Sequence, residues 1–209
     1  MIGLVGGVGS GKSCLARLLR EKHPIQIVEG DSAGHLVLTE PAVKSQLRTA
    51  FGDDVFNSSG DVDRRRLGRL VFGATPEQVA ARQKLEQIVH PRITEILRQQ
   101  IEEAQSQPGQ SQPRIAAIVL DAALMLETGW RDFCDRLVFI DTPIEQRMKR
   151  VGETRGWSRE QLQSREESQF PLEQKRREAD DVVDNSGDVQ VALSQLETIL
   201  SRVMGQTSR

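Results

Sequence analysis

Residues 6–13 read GGVGSGKS, and no other stretch of this 209-residue chain limits its fold so tightly. A run with so few side chains cannot pack a core, so its backbone must carry the function. Gly6, Gly11, Lys12 and Ser13 match G-x-x-x-x-G-K-[ST], a loop whose N–H groups converge on phosphate oxygens. The motif needs a strand before it and a helix after it. Ile2–Val5 is apolar and strand-sized, and Leu15, Leu18 and Leu19 share one helical face over Cys14–Glu21. The start of that helix adds positive potential where phosphate would sit. Gly9, Ser10, Gly11, Lys12, Ser13 and Cys14 are the expected nucleotide-binding residues. Lys12 can reach the β- and γ-phosphates of a nucleoside triphosphate such as ATP, and the Ser13 hydroxyl can ligate Mg²⁺.

The remaining pattern is that of a layered α/β chain. Ile25–Val28 reads as a second strand, opening onto Glu29-Gly30-Asp31. Ile115–Asp121 and Arg136–Asp141 are apolar and each ends in aspartate, and Val182-Val183 fits a short last strand. Continuous apolar strands separated by helical stretches point to a parallel sheet covered on both faces. From Ser32 to about Gln100 the pattern is mostly helical, broken at Gly52, Ser58-Ser59-Gly60 and Pro76. Pro91 is expected near the start of the last of these helices, where its missing donor does no harm. A polar surface loop is expected at 105–113, QSQPGQSQP. Residues 147–178 are densely charged and almost without aliphatic side chains, which places them outside the core. Val189, Leu193, Leu196, Leu200 and Val203 recur at steps of four and three, as in a terminal helix packed back on the sheet.

Composition removes several classes of function. The net charge is -2 and the pI about 6.0, so no basic field draws the chain to nucleic acid. Apolar runs such as Ile115–Leu120 are far too short to span a bilayer. Residues 1–5 feed straight into the glycine run and leave no room for a signal peptide. Two cysteines, Cys14 and Cys134, make no disulfide framework, and no Cys/His cluster has zinc spacing. A cytoplasmic chain with free thiols is expected, with no membrane or nucleic-acid partner, as a monomer or weak homo-oligomer.

Three kinds of protein use such a loop: GTPase switches, motor or transport ATPases, and small-molecule kinases. The guanine-reading N-K-x-D is missing from the sequence. The ATPases often carry an acidic pair at a strand end, whereas Asp121 is followed by Ala122. Asp121 alone fits either the Mg²⁺ shell or a plain cap on the next turn.

The ordered motifs go further. IGLVGGVGSGKS at 2–13, EGD at 29–31, GDVDRRRLGRLVF at 60–72 and IVHPRI at 88–93 are followed by VLDAALMLETG at 119–129, RGWS at 155–158 and ADDVVDNSGD at 179–188. Together they span nearly the whole chain, which resembles the dephospho-coenzyme A kinase family. The resemblance implies an α/β fold of the P-loop, nucleotide-kinase-like type: one domain with a parallel five-stranded sheet flanked by helices. Its core would comprise 1–31, 114–146 and 179–209, with a helical substrate-binding insertion at about 32–100 and a lid at about 147–178. It implies Mg²⁺-dependent transfer of the ATP γ-phosphate to the ribose 3′-hydroxyl of dephospho-coenzyme A. Departures are Cys14 in place of a threonine, expected to face the core, and Glu29-Gly30-Asp31 in place of D-A-D. Ala123 replaces a proline after Asp121, and Arg150 and Arg155 lie one residue further apart.

The resemblance also distributes roles. Asp31 becomes the base that accepts the hydroxyl proton, although an aspartate before a helix over Ser32–Leu38 also fits a cap. Glu29 becomes a neighbouring structural or metal-shell acid. Arg64, His90 and Asp121 join Asp31 in binding substrate. Arg147, Arg150 and Arg155 become candidates for lid arginines that close over the triphosphate, with Arg147 and Arg155 assigned to catalysis. An exposed helix pair laced with ion pairs is the plainer use of the same charges.

Overall fold

The computed structural model describes residues 1–73, 75–106 and 115–206. Five strands, β1 (Ile2–Val5), β2 (Ile25–Glu29), β3 (Ala117–Asp121), β4 (Arg136–Asp141) and β5 (Asp181–Asp184), form one sheet in the order β2-β3-β1-β4-β5. Every pairing is parallel. All four residues of β1 and the central four of β4 are buried, so their apolar runs are unbroken. The parallel topology sends all five strand C-termini to one end of the sheet. The glycine loop leaves β1 there, and Glu29 and Asp121 face each other in register as the last residues of β2 and β3.

Two compact bodies make up the chain, Met1–Gly30 with Gln99–Arg209, and Asp31–Arg98. In the first, helices α1 (Lys12–Lys22) and α9 (Val189–Gln206) pack on the sheet. Leu15 and Leu19 join Leu193, Leu196, Leu200 and Val203 against Ile2, Leu4, Val119, Val138 and Ile140. The terminal stripe is thus core. No residue of 147–178 enters this cluster, but Arg147, Val151, Leu162 and Lys175 of that segment are buried, so it is not wholly outside the core. The segment folds into most of α6 (Ile144–Arg155), then α7 (Arg159–Glu166) and α8 (Leu172–Glu178).

The second body contains α2 (Gly30–Val37, whose first residue closes the first body), α3 (Pro41–Phe51), α4 (Arg64–Val71) and most of α5 (Pro76–Ser106). Asp63 caps α4, accepting the N–H groups of Arg65 and Arg66 at 3.0 and 3.1 Å. Those N–H groups hold its carboxyl below the usual range. Glu40, just before α3, accepts from Arg92 of α5 at 2.8 Å.

Four expectations need correction. Pro76, not Pro91, opens the long helix, and Pro91 lies inside it. The apolar positions Val89, Ile93, Ile96 and Leu97 are buried on both sides of the proline. Their packing carries the helix through, even though the N–H that would reach the Gln87 carbonyl is missing. The strand expected from Ile115 starts at Ala117. Helix α2 begins at Gly30, so Asp31 lies within its first turn rather than before it. Of the loop expected at 105–113, residues 105 and 106 end α5, and the others lie outside the described residues.

Candidate active site

The glycine loop has a backbone that side chains would not permit. Gly9 and Gly11 adopt φ of 79° and 94°, in the left-handed region. A Cβ on Gly9 would lie 2.8 Å from Val151 Cγ1, and one on Gly11 2.7 Å from Asn185 Nδ2. Gly11 stands directly before α1 and supplies no side-chain cap. Lys12 is buried, and its Nζ donates to the carbonyls of Gly6 at 3.1 Å and Gly7 at 3.3 Å. The ammonium is therefore held within the loop. Ser13 is exposed on the first turn of α1. Cys14 is also exposed, correcting the expectation that it faces the core; the inward positions of this turn are Lys12, Leu15 and Ala16.

Helix α6 braces the loop from outside. Arg147 is buried at 5% exposure, with Nε donating to the Thr142 carbonyl at 3.1 Å and Nη1 paired with Glu166 at the end of α7. A side chain on Gly7 would strike this guanidinium. Arg150 Nη1 donates to the Ser10 carbonyl at 3.1 Å, and its Nη2 to the Asn185 carbonyl at 3.3 Å. Arg155 stands apart from these two. It is exposed at the end of α6, its guanidinium 4.8 Å from the centre of the Trp157 ring. Arg165 lies over the same ring at 5.3 Å. Burial first, then the Arg155 charge, lowers the pKa of Arg165. Loop, Arg147 and Arg150 thus form one cluster, with Asp121 buried in the same body at the end of β3.

Asp31, Arg64 and His90 belong to the other body. Asp31 is exposed in the first turn of α2, where the helix dipole favours a carboxylate. Arg64 is the exposed first residue of α4. His90 is half-buried beside Pro91 and lines an open cleft of about 590 Å³ with Gln83, Glu86, Gln87 and Thr94. Burial lowers its pKa, against the opposing pull of the Glu86 charge.

Three functional features escape sequence reasoning. Thr142 and Asn185 both donate to the Ser10 carbonyl, at 2.9 and 2.7 Å. Asn185 lies in the quoted 179–188 motif, which is its only trace in the sequence. Lys175, in a run of charged residues, is fully buried: its Nζ meets Glu127 Oε1 at 2.8 Å, the Ala123 carbonyl at 2.8 Å and Gln169 Oε1 at 3.0 Å. It ties α8 to the turn after β3. Nothing in the local pattern separates it from Arg176 or Arg177.

Residues 1–190 match the family model described as Dephospho-CoA kinase. The dephospho-CoA kinase of Carboxydothermus hydrogenoformans is 34% identical over 204 residues, covering 97% of this chain and 93% of that protein. The one from Thermobifida fusca is 37% identical over 188 residues, 89% of this chain and 87% of its own. Among solved structures, TT1252 of Thermus thermophilus is similar with a TM-score of 0.74 and 31% identity, over 96% of each chain.

Proposed function

The chain belongs to the dephospho-CoA kinase family, and from that premise we propose that it transfers the γ-phosphate of ATP to the ribose 3′-hydroxyl of dephospho-coenzyme A. The bond between the γ-phosphorus and the β,γ-bridging oxygen breaks, a bond to the 3′ oxygen forms, and ADP and coenzyme A leave. The observation that carries this is the glycine loop with Lys12 held inside it and Ser13 exposed beside it, in a chain that matches the family model over residues 1–190.

Each residue has a role that its surroundings support. The N–H groups of Gly9 to Ser13 cradle the β- and γ-phosphates, and Lys12 moves from the loop carbonyls to the charge that builds up on them. Cys14 lies in the same first turn of α1. Mg²⁺ fits a donor set of the Ser13 hydroxyl with phosphate oxygens and water, since this ion is usually bound with few protein ligands. Bound there, it would neutralise charge on the phosphate oxygens. Asp31, exposed just beyond β2, accepts the 3′-hydroxyl proton. Arg64 meets the substrate's diphosphate, His90 lines its cleft, and Asp121 orients the acceptor from the end of β3. Arg147 and Arg155 supply lid guanidiniums, Arg147 held at the loop and Arg155 exposed at the end of α6. The enzyme acts in the cytoplasm on a small molecule, as a monomer or weak homo-oligomer, with no nucleic-acid or membrane partner. Two free thiols fit such a reducing compartment, and among the described residues no helix is long and apolar enough to cross a membrane.

The test is ADP release in a coupled assay against a panel of acceptor alcohols. Turnover should rise strongly with dephospho-coenzyme A and stay near background with nucleosides, nucleotides and sugars. Equal rates with an unrelated acceptor would rule out the assignment.

A further inference from the structure

The Ser10–Gly11 peptide is held by three parts of the chain that lie far from it in sequence. Its carbonyl oxygen accepts from the Thr142 hydroxyl at 2.9 Å, the Arg150 guanidinium at 3.1 Å and the Asn185 side-chain amide at 2.7 Å. Two of these donors are almost sealed from solvent, Thr142 at 6% and Asn185 at 2% exposure. One carbonyl has two lone pairs, so three donors exceed what satisfying it requires. The donors are themselves anchored. Thr142 directly follows β4, Arg150 belongs to α6, and the Asn185 N–H donates to the Asp141 carbonyl at 2.8 Å.

A planar trans peptide points its C=O and its N–H in opposite directions. Drawing the Ser10 oxygen onto these donors therefore aims the Gly11 N–H the opposite way, away from them. Glycine backbones rotate easily, and Gly11 at φ 94° has no side chain to resist. A flipped peptide would turn a carbonyl toward the phosphates and repel them. We propose that Thr142, Asn185 and Arg150 are positioning residues that lock this peptide, so that the Gly11 N–H is preset to donate to a phosphate oxygen of the bound nucleotide. The inference rests on the nucleotide reading of the loop. It accounts for the close approach of Gly11 to its clamp, since a Cβ there would lie 2.7 Å from Asn185 Nδ2 and 3.2 Å from Arg150 Nη1.

The experiment uses the full chain with ADP as the probe. Calorimetric titration gives affinity, the amide resonance of Gly11 reports its hydrogen bond, and a melting curve records folding for each variant. In the unaltered protein ADP should shift the Gly11 amide proton downfield. Thr142→Val should bind ADP about tenfold more weakly, roughly one hydrogen bond to a charged group, and show a smaller Gly11 shift. Thr142→Ser should restore both, and Asn185→Leu should repeat the loss. A purely structural role would lower the melting temperature of Thr142→Val and leave ADP affinity and the Gly11 response alone, which would overturn the proposal. So would a Gly11 amide indifferent to ADP in the unaltered protein, a result that holds even if a variant fails to fold. If ADP does not bind the unaltered protein at all, the nucleotide reading falls, and the clamp with it.

Discussion

Lys12 donates to the Gly6 and Gly7 carbonyls, inside the loop where phosphate would arrive. Lys12→Ala should therefore leave the fold intact yet lose about 3–4 kcal/mol of transition-state stabilisation, the size of other removed electrostatic donors. A folded variant with near-normal kcat would rule out the role of the loop. Asp31 sits in the first turn of α2, exposed. If it takes the 3′-hydroxyl proton, Asp31→Asn should cut kcat by about 10²–10⁴ with ATP affinity unchanged. An unchanged kcat would move the base to Glu29 or Asp121. The two thiols offer a separate check, because Cys14 is exposed and Cys134 is buried, its pKa pushed up to about 12 mainly by burial. An alkylating reagent at neutral pH should label Cys14 alone in the native protein, both thiols after denaturation, and Cys14 more slowly with ATP present. Mass spectrometry of digested peptides decides it.

Among the elements, α5 carries a titrating side chain within its folded length. Burial lowers the pKa of His90, so between the folded value and the ordinary one near 6.5 the unfolded chain binds more protons than the folded chain. Its contribution to stability is whole above the unfolded value and is lost as pH falls through the folded one. Melting temperatures should drop on acidification less steeply in His90→Gln than in the unaltered protein, and parallel curves would show that His90 does not titrate this way. The same helix shows where sequence reading stops. Strands buried on both faces leave unbroken apolar runs, so β1 and β4 are legible to the residue, and the α9 stripe announces its packing. Pro91 looks like a helix start because local preference favours proline there. The burial of Val89, Ile93 and Leu97 that overrides it is a property of packing. The glycine loop is legible because its conformation admits few other residues. Thr142 and Asn185 are not, since their partner Ser10 is separated from them by most of the chain.

At the scale of the molecule, the segment from Arg147 to Glu178 is expected to close over bound ligands. Its anchors are uneven: Arg147, Val151 and Lys175 are buried near its two roots, while α7 has Leu162 as its buried residue. Hydrogen exchange should find α7 opening most readily, and slowing when ATP and dephospho-coenzyme A are added together. Equal protection in both states would make it a static charged helix. The strand order has a consequence for biosynthesis. β1 pairs with β3 and β4, and β2 pairs with β3, which follows the whole of α5 in the chain. On the ribosome the first two strands must wait for partners while the helices of Asp31–Arg98 emerge and make their local contacts. The glycine loop is thus synthesised well before the residues that shape it, because Thr142 and then Asn185 must arrive before Ser10 is fully held. A nascent chain stopped before Asn185 would carry the glycine loop in its sequence and lack one of the three donors that give it its form.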